Sequence, residues 1–295
     1  MRRIRTLAVV GVGLIGGSFA LALKRAGLVD RVIGIGRRRE TLAEAKDLGC
    51  IDEIADSYAG VSGADMVMLA MPVGQTQSVL SAMAPHLAAG TVVTDAGSTK
   101  RDVVAAARAT LGAALPRFVP GHPIAGTEHS GPQAAFAELY RDRRVVLTPL
   151  AETDRNCLQR VREAWEACGA RVGELQVDVH DRVLAAVSHL PHLLAFALVD
   201  QVARAENASE LFSYAAGGFR DFTRIAPSHP EMWRDICLAN RAALLEALGE
   251  YQGGLERMRS ALDRGDATEI EAIFARAREA RNRWLGGLTG KVSTE

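Results

Sequence analysis

Val9-Val10-Gly11-Val12-Gly13-Leu14-Ile15-Gly16-Gly17-Ser18 is the stretch that decides the fold. Ahead of it, Ile4 to Val10 is short and rich in β-branched and aliphatic residues, the pattern of a buried central strand. Gly11, Gly13 and Gly16 follow at the G-x-G-x-x-G spacing, and Phe19-Ala20-Leu21-Ala22-Leu23 begins a helix. Each glycine has a mechanical task. Gly11 permits a tight turn out of the strand, and Gly13 lets a pyrophosphate approach the backbone. Gly16 lets the helix lie close to the strand, with its N-terminal N–H groups and dipole facing the phosphates. A dinucleotide cradle is therefore expected on Gly11, Gly13, Leu14, Ile15 and Gly16.

On the N-terminal side, Arg2, Arg3 and Arg5 before an apolar run imitate a secretory signal. The glycines do not suit that role, and the run is too short to span a membrane. The reading is an intact, cytoplasmic N-terminus. The 295 residues leave room for two domains, and 35 Lys+Arg balance 35 Asp+Glu, so no net field draws nucleic acid or an anionic membrane. Cys50, Cys157, Cys168 and Cys237 are scattered without C-x-x-C spacing, which points to reduced thiols and no structural zinc. No repeat and no apolar stretch of membrane-spanning length is read.

On the C-terminal side, Arg31–Gly36 reads as a second strand. At its end a dinucleotide fold normally carries an acid for the ribose hydroxyls, about 20 residues past the glycines. Here Gly36 is followed by Arg37, Arg38 and Arg39. Loss of the carboxylate and gain of guanidinium groups both favour a 2′-phosphate, hence NADP, with NAD left open. Strand-like runs at Met66–Ala70, Thr91–Thr94, Arg117–Val119 and Arg144–Thr148 alternate with helical segments including Thr76–Leu87 and Lys100–Leu111, the signature of a doubly wound parallel α/β sheet of Rossmann type. Met71, Pro72 and Val73 follow one strand at the carboxyl edge, where ligands bind. Asp95-Ala96-Gly97-Ser98-Thr99-Lys100 does the same for the next. Ser98 either caps the following helix or holds a reacting group, and the two roles are compatible. Gly121-His122-Pro123 opens a loop that presents His122 as a candidate base.

After a helix at Thr153–Cys168 and a last strand at Arg171–Gln176, only helical periodicity remains, which sets a nucleotide-binding domain at 1–177 and an all-helical substrate and dimerisation domain at 178–295. Val183, Val187, Leu190, Leu194 and Leu198 recur at helical spacing, and Pro191 should kink that helix. The kink carries Ser188-His189-Leu190-Pro191-His192, two imidazoles on one face without an acid or thiol to complete a metal set. Arg220 and Arg224 flank a flexible turn as a candidate carboxylate clamp. Ser228-x-x-Glu231 and Thr268-x-x-Glu271 read as capping boxes of two helices, the first running from Met232 to Leu262 with Gly253-Gly254 as its bend, the second to about Trp284. Long apolar helices in a small domain call for a twin subunit.

His122-Pro-Ile-Ala-Gly-Thr-Glu128, Ser188-His-Leu-Pro-His192, Gly218-Phe-Arg-Asp-Phe-Thr-Arg224-Ile-Ala and Met232-Trp-Arg-Asp235, in this order behind the glycines, resemble the prephenate/arogenate dehydrogenases of tyrosine biosynthesis over nearly the whole chain. The resemblance implies oxidative decarboxylation of prephenate or arogenate by a cytoplasmic, NAD(P)-dependent homodimer. It makes His122 the base that takes the ring-hydroxyl proton, with Ser98 assisting that hydroxyl and His192 and Arg224 holding the substrate. Thr127 and Glu128 fall at the rim, Ser188, His189 and Arg220 stand beside the substrate, and Trp233 resembles a residue given by the partner subunit. No metal is implied. The chain ends soon after the helical region, so neither a regulatory ACT domain nor a fused chorismate mutase is expected. Two rivals differ in their demands. Another two-domain NADP-dependent hydroxyacid or imine dehydrogenase would need a Lys or Asp acid in the helical domain, and an NADP-sensing regulator would need neither base nor clamp.

Overall fold

The computed structural model describes residues 3–127 and 129–289. Its first elements are β1 (Ile4–Val10), α1 (Leu14–Arg25), β2 (Val29–Ile35), α2 (Arg39–Asp47), β3 (Glu53–Ile54), β4 (Met66–Leu69), α3 (Thr76–Met83), β5 (Val92–Asp95), α4 (Arg101–Thr110) and β6 (Phe118–Val119). The strands form one parallel sheet in the order β3-β2-β1-β4-β5-β6. Because β1 lies at its centre, both of its faces are buried: Leu7 and Val9 pack toward Phe19 and Trp165, Ala8 and Val10 toward Leu80 and Val103. That explains the unbroken apolar run in the sequence.

Three further strands depart from the single doubly wound sheet that the strand runs suggest. β7 (Gly121–Pro123), β8 (Arg144–Leu147) and β9 (Arg171–Glu174, after α5 at Arg155–Ala167) form a separate sheet, with β7 antiparallel to β8 and β8 parallel to β9. Pro120, which has no N–H to give to a ladder, separates β6 from β7. His122 consequently sits on a short strand paired with Val146, not on a loop.

The helical part begins with α6 (Val177–Leu184), a π turn (Ala185–His189) and α7 (Leu190–Ala203) in unbroken succession. Pro191 is accommodated by that turn, in which the Leu190 N–H reaches the Ala185 carbonyl five residues back. The extra residue rotates the helix faces: Val183 and Val187 are 42% and 70% exposed, while His180, Asp181 and His189 are buried. It also corrects the sequence reading of apolar runs, since Val177–Ala203 is one helix of 27 residues holding an 18-residue window of mean hydropathy 1.6, long and apolar enough to cross a membrane by length and composition alone.

α8 (Ala208–Ser213), α9 (Gly217–Thr223) and α10 (Pro230–Ala239) follow. The long helix expected from Met232 breaks at Asn240, not at the glycine pair, and α11 (Arg241–Asp263) starts anew. Neither capping box forms. His229 is the cap residue of α10, with Ser228 Oγ donating instead to the Ile225 carbonyl at 2.7 Å. Before α12 (Ala267–Thr289), the Asp266 carboxylate accepts the Glu269 N–H at 3.0 Å. The chain divides into two compact units, Met1–Leu244 and Leu245–Glu295. All site residues described below lie in the first.

Candidate active site

At the cradle, Gly11 has φ +92°, and a Cβ there would lie 2.7 Å from the Ala70 carbonyl and the Met71 nitrogen. Gly16 is equally crowded, its Cβ position 2.3 Å from the Gly11 carbonyl oxygen. Gly13 is the opposite case. A Cβ there would meet nothing within 4 Å, and Gly13 starts α1 with no side-chain cap on the helix amides. Open space in front of uncapped amides fits the phosphates of a dinucleotide. Leu14 and Ile15 form the first turn of that helix. Beyond β2, Arg37 and Arg38 are exposed, whereas Arg39 pairs with Asp56. After β4, Met71 is half-buried and Pro72 exposed, but Val73 turns into a small apolar cluster with Trp233 and Ile236 of α10. The carboxyl edge of the parallel sheet and the helical part therefore meet at Val73.

The turn between β5 and α4 grips the strand that carries His122. Asp95 and Lys100, both buried, form an ion pair, and Lys100 Nζ also donates to the Gly121 carbonyl at 2.8 Å. Asp95 in turn accepts the Gly121 N–H at 3.0 Å and the Gly97 N–H at 2.8 Å. Ser98 is half-buried on this turn, and it is not the cap of α4 that its position suggests. The cap comes from a distant helix: Asp181 accepts the Lys100 and Arg101 N–H groups, each at 2.9 Å. A carboxylate at a helix N-terminus satisfies two amides and faces the positive end of the dipole.

Asp181 also binds the His180 ring, Oδ1 to Nδ1 at 2.8 Å, and His180 Nε2 meets His122 Nδ1 at 2.9 Å. Burial above all, then the charges of His180, Lys100 and His189, hold His122 well below the usual imidazole range, so its ring is neutral at physiological pH. Burial likewise lowers His180, against the pull of Asp181. For Asp181 burial works upward, but the bonds from His180 and from the Arg101 and Lys100 amides outweigh it and keep the carboxyl low.

Asn240 ties a second pair together. Its Nδ2 donates to the Asp181 carbonyl at 2.8 Å and meets His189 Nδ1 at 3.0 Å. His189 is 1% exposed, and burial pushes it down to about 4. His192 is half-buried, donates from Nδ1 to the Ser188 carbonyl at 2.9 Å, and is lowered by burial and by the Arg224 charge. Its ring stacks on Trp233 with centroids 3.6 Å apart and planes at 19°. Trp233 is buried and packs against this chain's own His192. Arg224 is exposed. Arg220 is also exposed and lies 3.5 Å from Asp221. Thr127 is exposed, its hydroxyl accepting the His129 N–H at 3.2 Å. Glu128 lies outside the described residues.

His122, His180, His189 and His192 thus follow one another from the sheet edge to Trp233 and Arg224. Sequence reasoning missed His180, Asp181 and Asn240. The one signal available was a His-Asp pair in the first turns of an otherwise largely apolar helix.

A family model described as the nucleotide-binding domain of prephenate dehydrogenase matches residues 19–174, and one described as its dimerization domain matches 176–276. The cyclohexadienyl dehydrogenase of Zymomonas mobilis is 38% identical over 287 residues, covering 95% of this chain and 96% of that protein. The crystal structure of prephenate dehydrogenase from A. aeolicus, in complex with hydroxyphenyl propionate and NAD+, shares 38% identity with a TM-score of 0.89, over 95% of this chain and 98% of that one. Synechocystis arogenate dehydrogenase gives a TM-score of 0.79 at 28% identity, over 95% and 99% of the two chains. The two matches together run from residue 19 to residue 276, their changeover falls between β9 and α6, and the candidate site gathers at the edge of the parallel sheet; the chain belongs to the prephenate dehydrogenase family, oxidoreductases of tyrosine biosynthesis that work by oxidative decarboxylation.

Proposed function

We propose that this chain oxidatively decarboxylates prephenate, arogenate or both, using NADP in preference to NAD, with His122 as the base. The observation that carries the reading is the buried, neutral His122, anchored through Gly121 to the Asp95–Lys100 turn and followed by His192, Trp233 and Arg224. Gly11, Gly13, Leu14, Ile15 and Gly16 hold the dinucleotide phosphates, with Met71, Pro72 and Val73 along its edge and Arg37 and Arg38 toward the 2′-phosphate. Arg39 contributes less to that charge because Asp56 faces it. The bound dinucleotide supplies a hydride acceptor.

His122 takes the proton of the ring hydroxyl, and Ser98, on the turn that grips its strand, assists that hydroxyl. A neutral imidazole is the form that can accept a proton, and burial maintains it. Arg224 and His192 hold the substrate, Arg224 through a carboxylate, and so fix the reacting carbon, the proximity contribution. Loss of the ring carboxylate as CO₂ leaves an aromatic ring. Ser188 and His189 shape the floor below His192, and Arg220, Thr127 and Glu128 belong to the rim. The domain change is placed near residue 177. The active form is a cytoplasmic homodimer, a reading supported by the match to a dimerization domain and by exposed Leu255, Leu262, Phe274 and Trp284 on α11 and α12.

The test is reduced-nicotinamide formation by purified protein with NAD or NADP against prephenate or arogenate. Turnover with NADP and at least one substrate is expected, with His122→Asn abolishing turnover while dinucleotide binding persists. Turnover only with NAD overturns the reading of Arg37 and Arg38. No turnover in any combination overturns the activity.

A further inference from the structure

We propose that His180 and Asp181 are positioning residues that dictate which nitrogen of His122 acts as the base, an inference that rests on the reading of His122 given above. The Asp181 carboxylate already accepts two helix amides at 2.9 Å and faces His180 Nδ1 at 2.8 Å. Held low by these donors, it is ionised and can only accept. The hydrogen between Asp181 and His180 therefore belongs to His180 Nδ1. A neutral His180 then has only a lone pair at Nε2. Since His122 Nδ1 lies 2.9 Å from that lone pair, His122 must carry its hydrogen on Nδ1. The remaining lone pair of His122 is on Nε2, and Nε2 is the atom that receives the substrate proton.

The same chain supports the product of that step. When His122 takes a proton at Nε2, its Nδ1–H still has an acceptor in His180, and the Asp181 charge stands behind that acceptor. The surrounding groups otherwise oppose a positive ring. Lys100, from the start of α4, and His189, from the π turn, both lower His122, while Asp95 of β5 is paired with Lys100. His192 and Arg224 lie beyond His189, and Asp102 sits on α4 near Lys100 and Asp181. Among these, Asp181 is the carboxylate joined to His122 through a ring.

The decisive variants are at His180, because Asp181 also caps α4 and its removal perturbs the fold directly. His180→Leu removes the acceptor for Nδ1–H, whereas His180→Gln returns an amide oxygen on a side chain of similar reach. Expected for H180L is a fall in kcat of about 10- to 100-fold, less than the full loss of a general base because His122 itself remains, with KM and dinucleotide Kd within about twofold of wild type. Its acid limb of kcat/KM moves to lower pH, since a protonated His122 loses its partner. H180Q should recover most of kcat. Wild-type kcat and an unmoved acid limb in H180L overturn the proposal, as does a parallel loss of dinucleotide binding in both variants, which marks a merely structural role. His122→Asn, run alongside, separates the two readings: retained turnover there refutes His122 as the base, whereas its loss beside a fully active H180L refutes only the positioning role.

Discussion

Three glycines in one motif make different predictions when each receives a methyl group. Gly13→Ala places a Cβ where no atom lies within 4 Å, at an extended residue with φ −111°. Reduced freedom of the unfolded chain stabilises such a change by about 0.4–1 kcal/mol, and loss of glycine from the helix cap costs a similar amount, so the net change stays within about 1 kcal/mol. Gly11→Ala must adopt φ +92° and press its Cβ to 2.7 Å from the backbone of Ala70 and Met71. The conformation costs about 1–2 kcal/mol and the overlap roughly 1–3 more, a loss of about 2–5 kcal/mol. Gly16→Ala, meeting the Gly11 carbonyl at 2.3 Å, should fall in the same class. Urea unfolding followed by tryptophan fluorescence ranks the three, and a dinucleotide titration is run on each folded protein. Gly13→Ala should unfold close to wild type yet bind the dinucleotide at least about tenfold more weakly, a difference of about 1.4 kcal/mol, because its methyl stands where the phosphates approach. If Gly13→Ala is as unstable as Gly11→Ala, or binds as tightly as wild type, the open space at Gly13 is not the phosphate cradle.

Asn240→Ala strips the donor from two buried acceptors, the Asp181 carbonyl and His189 Nδ1, and should cost about 2–4 kcal/mol of unfolding free energy in urea; a loss under about 0.5 kcal/mol would refute the role given to this side chain. Stability should also depend on pH through the buried imidazoles. His189 falls from 6.5 to about 4 on folding, so the unfolded chain binds the proton first, and a contribution of about 3 kcal/mol present above pH 6.5 is lost as pH falls toward 4. His122, His180 and His192 shift in the same direction and add to the slope, whereas the Asp181 contribution disappears only below the ordinary carboxylate range. Unfolding free energies that stay level between pH 6.5 and 4 would refute neutral burial of these rings.

The nucleotide half of the fold was legible because its signals are local. A strand buried on both faces must be apolar throughout, and a helix that approaches a strand end closely must carry glycine there, so Ile4–Val10 and Gly11-x-Gly-x-x-Gly16 report their surroundings without any distant residue. The helical half hides its logic for a physical reason. Spacing arguments assume 3.6 residues per turn, and the π turn at Ala185–His189 breaks that assumption in the middle of the helix that carries the site. Val183 and Val187 therefore look like core residues and are exposed, while His180 and Asp181 look like a polar first turn and are fully buried.

Caps misled in the same way, because a side chain from far away can replace the local one. Asp181 caps α4 from 80 residues downstream, leaving Ser98 without the structural duty its position implies. That substitution bears on the role proposed for Ser98. A serine that capped α4 would have its hydroxyl committed to a backbone amide, whereas the distant carboxylate leaves Ser98 available on the turn that holds the His122 strand. The carboxylate in the cap also reaches His180, so one side chain joins the helix that positions this turn to the ring that orients His122. The break at Asn240 follows the same economy: the residue that ends α10 spends its amide on the Asp181 carbonyl and His189, so the helix boundary and the polar chain are fixed by one side chain. Elements of this kind are set by partners distant in sequence, and they are invisible to any reading that advances one turn at a time.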